Sequence, residues 1–336
     1  MTESQPDSDK TPDGKKVEDG LPFPNWWPVV AGALMGIALR VVFSGQPNTA
    51  YAAMSASFIY FAPGIVGAVT VYMAERRKRR SWNYYMGASI VANLLFVAGT
   101  MLIMIEGLIC AIVIAPLFCL LGAIGGLLMG LICRLTNWRR KALYSVGVLP
   151  LLLGPVEADM PIPERVGTVE RALVIDAAPA EVWRRILNVP EIKPEEIERA
   201  WMFRIGIPLT KSGALRESSG ERVRRVTMGK NIYFDEVVTD WDENRYLRWT
   251  YRYYEASFPR YALDEHVVLG GHYFDIKDTS YTLIPRGAQT EVRLRMTYRV
   301  STRFNWYADP VARLLLENLA QTNLDYYRGR SEPARP

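Results

Sequence analysis

The hydrophobic rhythm of this chain changes near its middle. Between residues 26 and 155 apolar positions run on almost without interruption, while beyond residue 168 they alternate with polar ones. A spanning helix needs ~20 largely apolar residues. Four segments meet that pattern, at about 26–43, 51–74, 84–104 and 107–133. A fifth, "ALYSVGVLPLLLGP" at 142–155, is apolar but short, and Pro150 interrupts it. At ~1.5 Å per residue it extends roughly 21 Å, against a hydrocarbon core of ~30 Å. It either crosses, with Arg140 and Lys141 snorkelling to the interface, or lies re-entrant in it; a crossing is favoured. "GAIGGLLMG" sets Gly122, Gly126 and Gly130 four apart on one helix face, a spacing for close helix packing.

The alternating half predicts a different architecture. "TVERALVIDA" reads as a strand, "APAEVWRRILNV" as a short amphipathic helix with Val182, Trp183, Ile186 and Leu187 on one face, and "KPEEIERAW" as a second short helix. Six strands follow, separated by the turn signals "SGE", "GKN", "DEN" and "RGAQ". In the last, Val292, Leu294, Met296, Tyr298 and Val300 share one face while Arg293, Arg295 and Arg299 share the other, as in an antiparallel sheet with one wet side. The chain closes with one long amphipathic helix, in which Val311, Leu314, Leu315, Leu319, Thr322 and Tyr326 recur at three and four and Asn305 is a candidate cap. The predicted organisation is a disordered polar tail over 1–25, an all-α transmembrane bundle over 26–155, a linker over 156–167 and an α+β domain over 168–330.

Charge turns the bundle into a topology. The 40 Lys and Arg against 35 Asp and Glu leave a formal charge of +5. Much of the excess sits in "ERRKRR" (75–80) and "RLTNWRRK" (134–141), while the connections "SGQPNT" and "EG" carry neither Lys nor Arg. The positive-inside rule puts the amino terminus and both basic loops in the cytoplasm. Trp26, Trp27, Tyr84, Tyr85 and Trp138 stand at segment ends, where interfacial aromatics belong. A crossing fifth segment places the second domain outside the cytoplasm. Arg40 and Glu106 fall toward the same outer face, either as a pair or each reaching the interface separately. Cys110, Cys119 and Cys133 all lie in apolar stretches and read as core residues.

A curved sheet gripping a long helix, closed at one end by short helices, leaves room for an apolar ligand. The segments "VERALVIDAAPAEVWRRILNV" and "DTSYTLIPRGAQTEVRLRMTYRVS", with the final helix, resemble the opening, last hairpin and closing helix of the START-like helix-grip superfamily, which includes the Bet v 1 and polyketide cyclase/dehydrase groups. The whole chain is similar to bacterial membrane proteins that carry such a domain after several helices. The resemblance implies a cavity for a lipid, isoprenoid, sterol or polyketide, without fixing one activity.

The predicted function is membrane-anchored binding or transfer of a hydrophobic ligand. Trp249, Tyr251, Tyr253 and Tyr298 are candidate liners on the sheet, Leu315 and Leu319 on the helix, and His266 and His272 at the rim. Aromatic stripes on strands fill cores more often than they meet ligands, so a solid core is the competing reading. The alternatives are a cyclase- or dehydratase-type enzyme on a hydrophobic substrate, and a partner-binding regulatory domain of the membrane bundle. Acid–base work needs a proton donor and acceptor, and the candidates are His272, Glu236, Asp275, Asp278 and Tyr281. The chain's two histidines stand together in "DEHVVLGGHYFD", but five residues and two glycines apart they do not make the converging set that zinc requires. We therefore expect no metal and no cofactor. The arginines of "RVRR" and "RLRMTYR" alternate with core positions, which reads as a solvated sheet face and excludes nucleic acid as the partner.

Overall fold

The computed structural model describes residues 26–47, 49–136, 144–218 and 220–332. The polar tail at 1–25, most of the second basic loop with Trp138, and the first residues of the fifth apolar segment lie outside the described residues. The chain forms two compact units, a helical one that ends at Pro161 and a second that runs from Ile162 and also takes in Gly107–Cys110.

The helical unit contains α1 (Trp27–Val42), α2 (Ala56–Glu75), α3 (Trp82–Leu102), α4 (Leu108–Leu135) and α5 (Tyr144–Ala158). Ser55 and Ser81 cap α2 and α3 by accepting the N–H of Phe58 and Tyr84. Three helices, α2, α3 and α4, are long and apolar enough to cross a membrane. The sequence pattern pointed to four. The difference is α1, whose 16 residues reach only about 24 Å. The glycine stripe of α4 packs on α3: a Cβ at Gly122, Gly126 or Gly130 would strike the side chain of Asn93, Ser89 or Tyr85 in turn. The polar members of that row turn to backbone, with Asn93 donating to Ser89 O at 2.9 Å and Ser89 to Tyr85 O at 2.6 Å. Arg40 and Glu106 do pair, Nε to Oε1 at 2.6 Å, and Arg40 is buried.

The second unit begins with β1 (Glu164–Ile175), α6 (Pro179–Leu187), the short β2 (Asn188–Val189) and two single turns, α7 (Pro194–Ile197) and α8 (Trp201–Arg204). Then come β3 (Thr210–Ser218), β4 (Glu221–Met228), β5 (Tyr233–Asp242), β6 (Tyr246–Arg252), β7 (Phe274–Arg286), β8 (Gln289–Ser301) and the closing helix α9 (Asn305–Ser331). The strands form one antiparallel sheet in the order β1-β8-β7-β6-β5-β4-β3-β2. All six strands expected after the short helices are present; β2 is an addition, and "KPEEIERAW" splits into two turns. The sheet's inner face closes on α9, which runs along β1 and β8, and α6 packs on α9. This is a helix-grip arrangement.

The details of α9 differ from its sequence pattern. Its buried wall is Leu316, Ala320, Leu324 and Tyr327, while Leu314 is half exposed and Leu315 and Leu319 are only partly buried. A helix with Pro310 inside and apolar residues at 314, 315 and 316 offers two nearly equivalent stripes, and packing selects the second. Asn305 is the first helical residue and not the cap. Its Oδ1 accepts from Thr302 N at 2.8 Å and its Nδ2 donates to Pro163 O at 2.7 Å, which fastens the start of α9 to the chain entering β1.

Candidate functional site

The inner face of the sheet is apolar at both ends and polar between them. At one end Trp183 of α6 meets Trp241 of β5 edge to face at 4.9 Å, and the Arg222 guanidinium lies 4.4 Å from the Trp241 ring. At the other end the long β6–β7 connection folds back over the sheet. Ala262 is buried there with Val226, Ile232 and Phe234, and Phe258, Leu263 and Leu269 pack on them.

Between these ends stands a buried ion pair. The hairpin centred on Lys230 pairs positions equidistant from it, so Arg224 of β4 lies directly opposite Glu236 of β5. Alternation turns both inward, and Arg224 Nη1 donates to Glu236 Oε2. Gly213 on β3 makes the space: a Cβ there would strike Arg224 Nη2. The guanidinium also lies 5.4 Å from the Trp249 ring. Around the pair are Tyr251, whose hydroxyl shares a 2.6 Å hydrogen bond with Thr279, and Tyr281, whose ring meets that of Tyr327 edge to face at 5.8 Å.

The electrostatics follow from burial. It pushes the hydroxyls of Tyr251, Tyr253, Tyr281 and Tyr327 above the usual phenol range, so all four are neutral donors. Burial also holds the Glu236 carboxyl above the usual carboxylate range, against the pull of Arg224. Burial opposes the charge on Arg224, but Glu236 outweighs it and the guanidinium stays protonated. Three donors in this interior have no hydrogen-bond partner among the described residues, Arg224 Nε, Trp249 Nε1 and the Tyr253 hydroxyl. An unmet buried donor costs ~1–3 kcal/mol, more when it is charged. A hydrogen-bond acceptor delivered by a ligand would recover that energy.

The other residues singled out in the sequence fall in several places. Trp249 is fully buried beside Arg224. Tyr251 and Tyr253 stack at 6.3 Å under the β6–β7 connection. Tyr298 is buried but donates to Asp309 at 2.7 Å, which ties β8 to α9. Leu319 packs on the main core and Leu315 is partly buried on the outer shoulder of α9. Both histidines flank one ring, Tyr273, at 5.6 Å for His266 and 4.9 Å for His272. His272 is exposed, and its carbonyl, like that of Gly271, accepts from Arg299. The bend between the histidines is forced by Tyr253: Gly270 has φ of +71°, and a Cβ on it would strike the Tyr253 ring. Asp275 pairs with Lys277 and Asp278 with Arg248. Among the described residues no group of three His, Cys, Asp or Glu is placed to hold a metal ion.

Arg224 is the residue that the sequence pattern misassigned. The motif "RVRR" reads as a solvated face, and Arg225 does lie on the outer side, paired with Asp235 at 2.6 Å. Arg224 has the opposite parity. The signal was present: a hairpin about "GKN" sets an arginine across from a glutamate on the face that also carries Val226 and Phe234.

No protein family matches the chain, and no curated protein does either. Among solved structures the C-terminal half is similar to a START superfamily protein from Mycobacterium smegmatis, at 14% identity, over 49% of this chain and 96% of that one, with a TM-score of 0.34. TTHA0849 from Thermus thermophilus aligns at 17% identity over 49% of this chain and 97% of its own, with a TM-score of 0.32. Ara h 8.0201 aligns at 15% identity over 49% of this chain and 98% of its own, with a TM-score of 0.28.

Proposed function

We propose that this protein is a membrane-anchored binding or transfer protein for an amphiphile, a molecule with an apolar body and a head that bears hydrogen-bond acceptors. The observation that carries the reading is the set of unmet donors, Arg224 Nε, Trp249 Nε1 and the Tyr253 hydroxyl, between two apolar ends of the grip. The head would sit against Arg224, Tyr253 and Trp249. The apolar body would lie toward Leu316 and Leu324 of α9, or toward Phe234 and Leu269 under the β6–β7 connection. Three helices long and apolar enough for a membrane support the anchoring, which would hold such a site near the phase where amphiphiles partition. Lipids with carboxylate, phosphate or ester heads, isoprenoid phosphates and polyketide-like acids share this chemistry. The alternative, a cyclase- or dehydratase-type enzyme, would draw on His272, which is exposed, or on Glu236, which is buried against Arg224.

The test is mass spectrometry of small molecules that copurify with the full chain from mild detergent. It is paired with the double variant Arg224→Met with Glu236→Leu. Replacing a whole buried ion pair by apolar residues is often neutral or stabilising, so the double variant should fold. The wild type should carry an acceptor-bearing amphiphile, and the folded double variant should carry much less of it. A wild type that is empty, or an unchanged load in the double variant, refutes the proposal.

A further inference from the structure

The two ends of the helical unit differ in chemistry. At one end the basic residues gather. Arg134 Nη2 donates to Arg80 O at 3.0 Å and its guanidinium covers the Trp82 ring at 4.4 Å, while Arg79 reaches Cys133 O. Glu75 is buried beneath them and accepts from Arg80 N and the Tyr85 hydroxyl, each at 2.7 Å. The opposite end is formed by the close of α1, the turn after α3 and the start of α2. Its charges are used up internally, since Arg40 is spent on Glu106 and on Phe43 O at 2.7 Å.

The last turn of α5 belongs to that second end. The Glu157 carboxylate accepts the backbone N–H of Ala56 and, at 2.8 Å, that of Ser57. These are two of the donors that the first turn of α2 leaves unsatisfied, and the positive end of the helix dipole favours a carboxylate there. Two further contacts hold the same end. The Tyr51 hydroxyl donates to Leu151 O at 3.4 Å, and Gly154 sits so close to Ala50 O that a Cβ would strike it. The chain therefore leaves the helical unit beside the amino terminus of α2, far along the bundle from the basic residues that follow its carboxyl terminus.

We infer that the ligand-binding unit is extracytoplasmic and exchanges its amphiphile with the outer leaflet. The positive-inside rule keeps the Arg76–Arg80 and Arg134 end in the cytoplasm. A chain that exits beside Ala56 then emerges on the other side, whatever path it takes between α4 and α5. The sidedness rests on the helical unit by itself; the exchange with the outer leaflet rests on the function proposed above. The same contacts favour the crossing reading of the short fifth segment. Its carboxylate is bonded into the outer end, so it need not span the whole core unaided.

The experiment uses the full chain with Cys110, Cys119 and Cys133 changed to Ser and one new cysteine, either Lys78→Cys in the basic loop or Glu255→Cys in the second unit; both positions are exposed. Right-side-out vesicles are treated with a membrane-impermeant maleimide before and after detergent. Glu255→Cys should be labelled before detergent, and Lys78→Cys only after it. Protection of Glu255→Cys, or labelling of Lys78→Cys in sealed vesicles, overturns the sidedness. In the same vesicles a photoactivatable acyl phospholipid added from outside should crosslink beyond residue 162. Accessible Glu255→Cys without any crosslink removes the outer-leaflet exchange and leaves the sidedness standing.

Discussion

The two faces of the sheet use the same residue type to opposite ends. On the outer face the arginines keep contact with solvent as they pair with carboxylates: Arg225 with Asp235, which is itself buried, Arg248 with Asp278, Arg252 with Glu221. On the inner face Arg224 pairs with Glu236 where both side chains are buried. An outer pair exchanges hydration for a contact of similar strength, and exposed pairs contribute ~0–1 kcal/mol. The inner pair has given up most of its hydration, and its partners still leave one guanidinium donor unmet. The outer arginines are a solvated surface, whereas the inner one keeps a buried donor unmet.

That contrast is broken most sharply at Arg224. Replacing it by Met removes one partner and leaves Glu236 buried without compensation, which costs about 3–5 kcal/mol. Replacing Glu236 by Leu as well should return most of that loss. Thermal unfolding of the full chain in mild detergent, with hydrogen exchange read in β4 and β5, checks both. If the single variant is as stable as the wild type, the pair is hydrated and the site is not the buried one described here.

A smaller effect is expected at Gly213. A methyl group there meets Arg224 Nη2, Cζ and Nε. The side chain cannot simply swing away, because Glu236 holds it. Gly213→Ala should cost about 1–3 kcal/mol as overpacking. The cost should shrink in the Arg224→Met, Glu236→Leu background, because the two sites share one space. Equal costs in both backgrounds would show that Gly213 serves the strand and not the arginine.

Much of this was legible from the chain. Period-two alternation gave β3 to β8, and the turn signals gave their hairpins, because one face of an antiparallel sheet is buried and a register slip would invert it. The spacing of Gly122, Gly126 and Gly130 announced close packing. Three things were not legible. The length of α1 depends on where Phe43 and Ser44 leave the helix. The wall of α9 depends on tertiary packing, which chose Leu316 over Leu315. The identity of the inner arginine depends on strand parity, which a run of three arginines about one valine obscures. The histidines drew attention because they are rare. They stand on Tyr273 in the β6–β7 connection, while the residues that set the interior's chemistry are common ones in an uncommon environment.

The outer face supplies the smallest effects and the finest test of the comparison. Burial would raise the Asp235 carboxyl, but Arg225 and the Tyr254 hydroxyl, with Arg216, outweigh it and hold it below the usual carboxylate range. Its folded pKa is therefore depressed. The stability it contributes is fully present above the unfolded value of ~3.9 and is lost as pH falls through the folded one. Arg225→Met should lower the unfolding temperature at neutral pH, and the gap to wild type should close on acidification below about pH 4. A gap that does not change with pH would mean that Arg225 acts through its stack on Tyr233, at 5.2 Å, and not through charge. At Arg252 even that contribution disappears. Glu221 is held below its usual range chiefly by the Arg252 hydrogen bond, but both groups stand in water. Arg252→Met should leave the unfolding temperature unchanged within error. A clear loss there would mean that outer pairs carry the sheet as the inner one does, and the distinction between the two faces would fall.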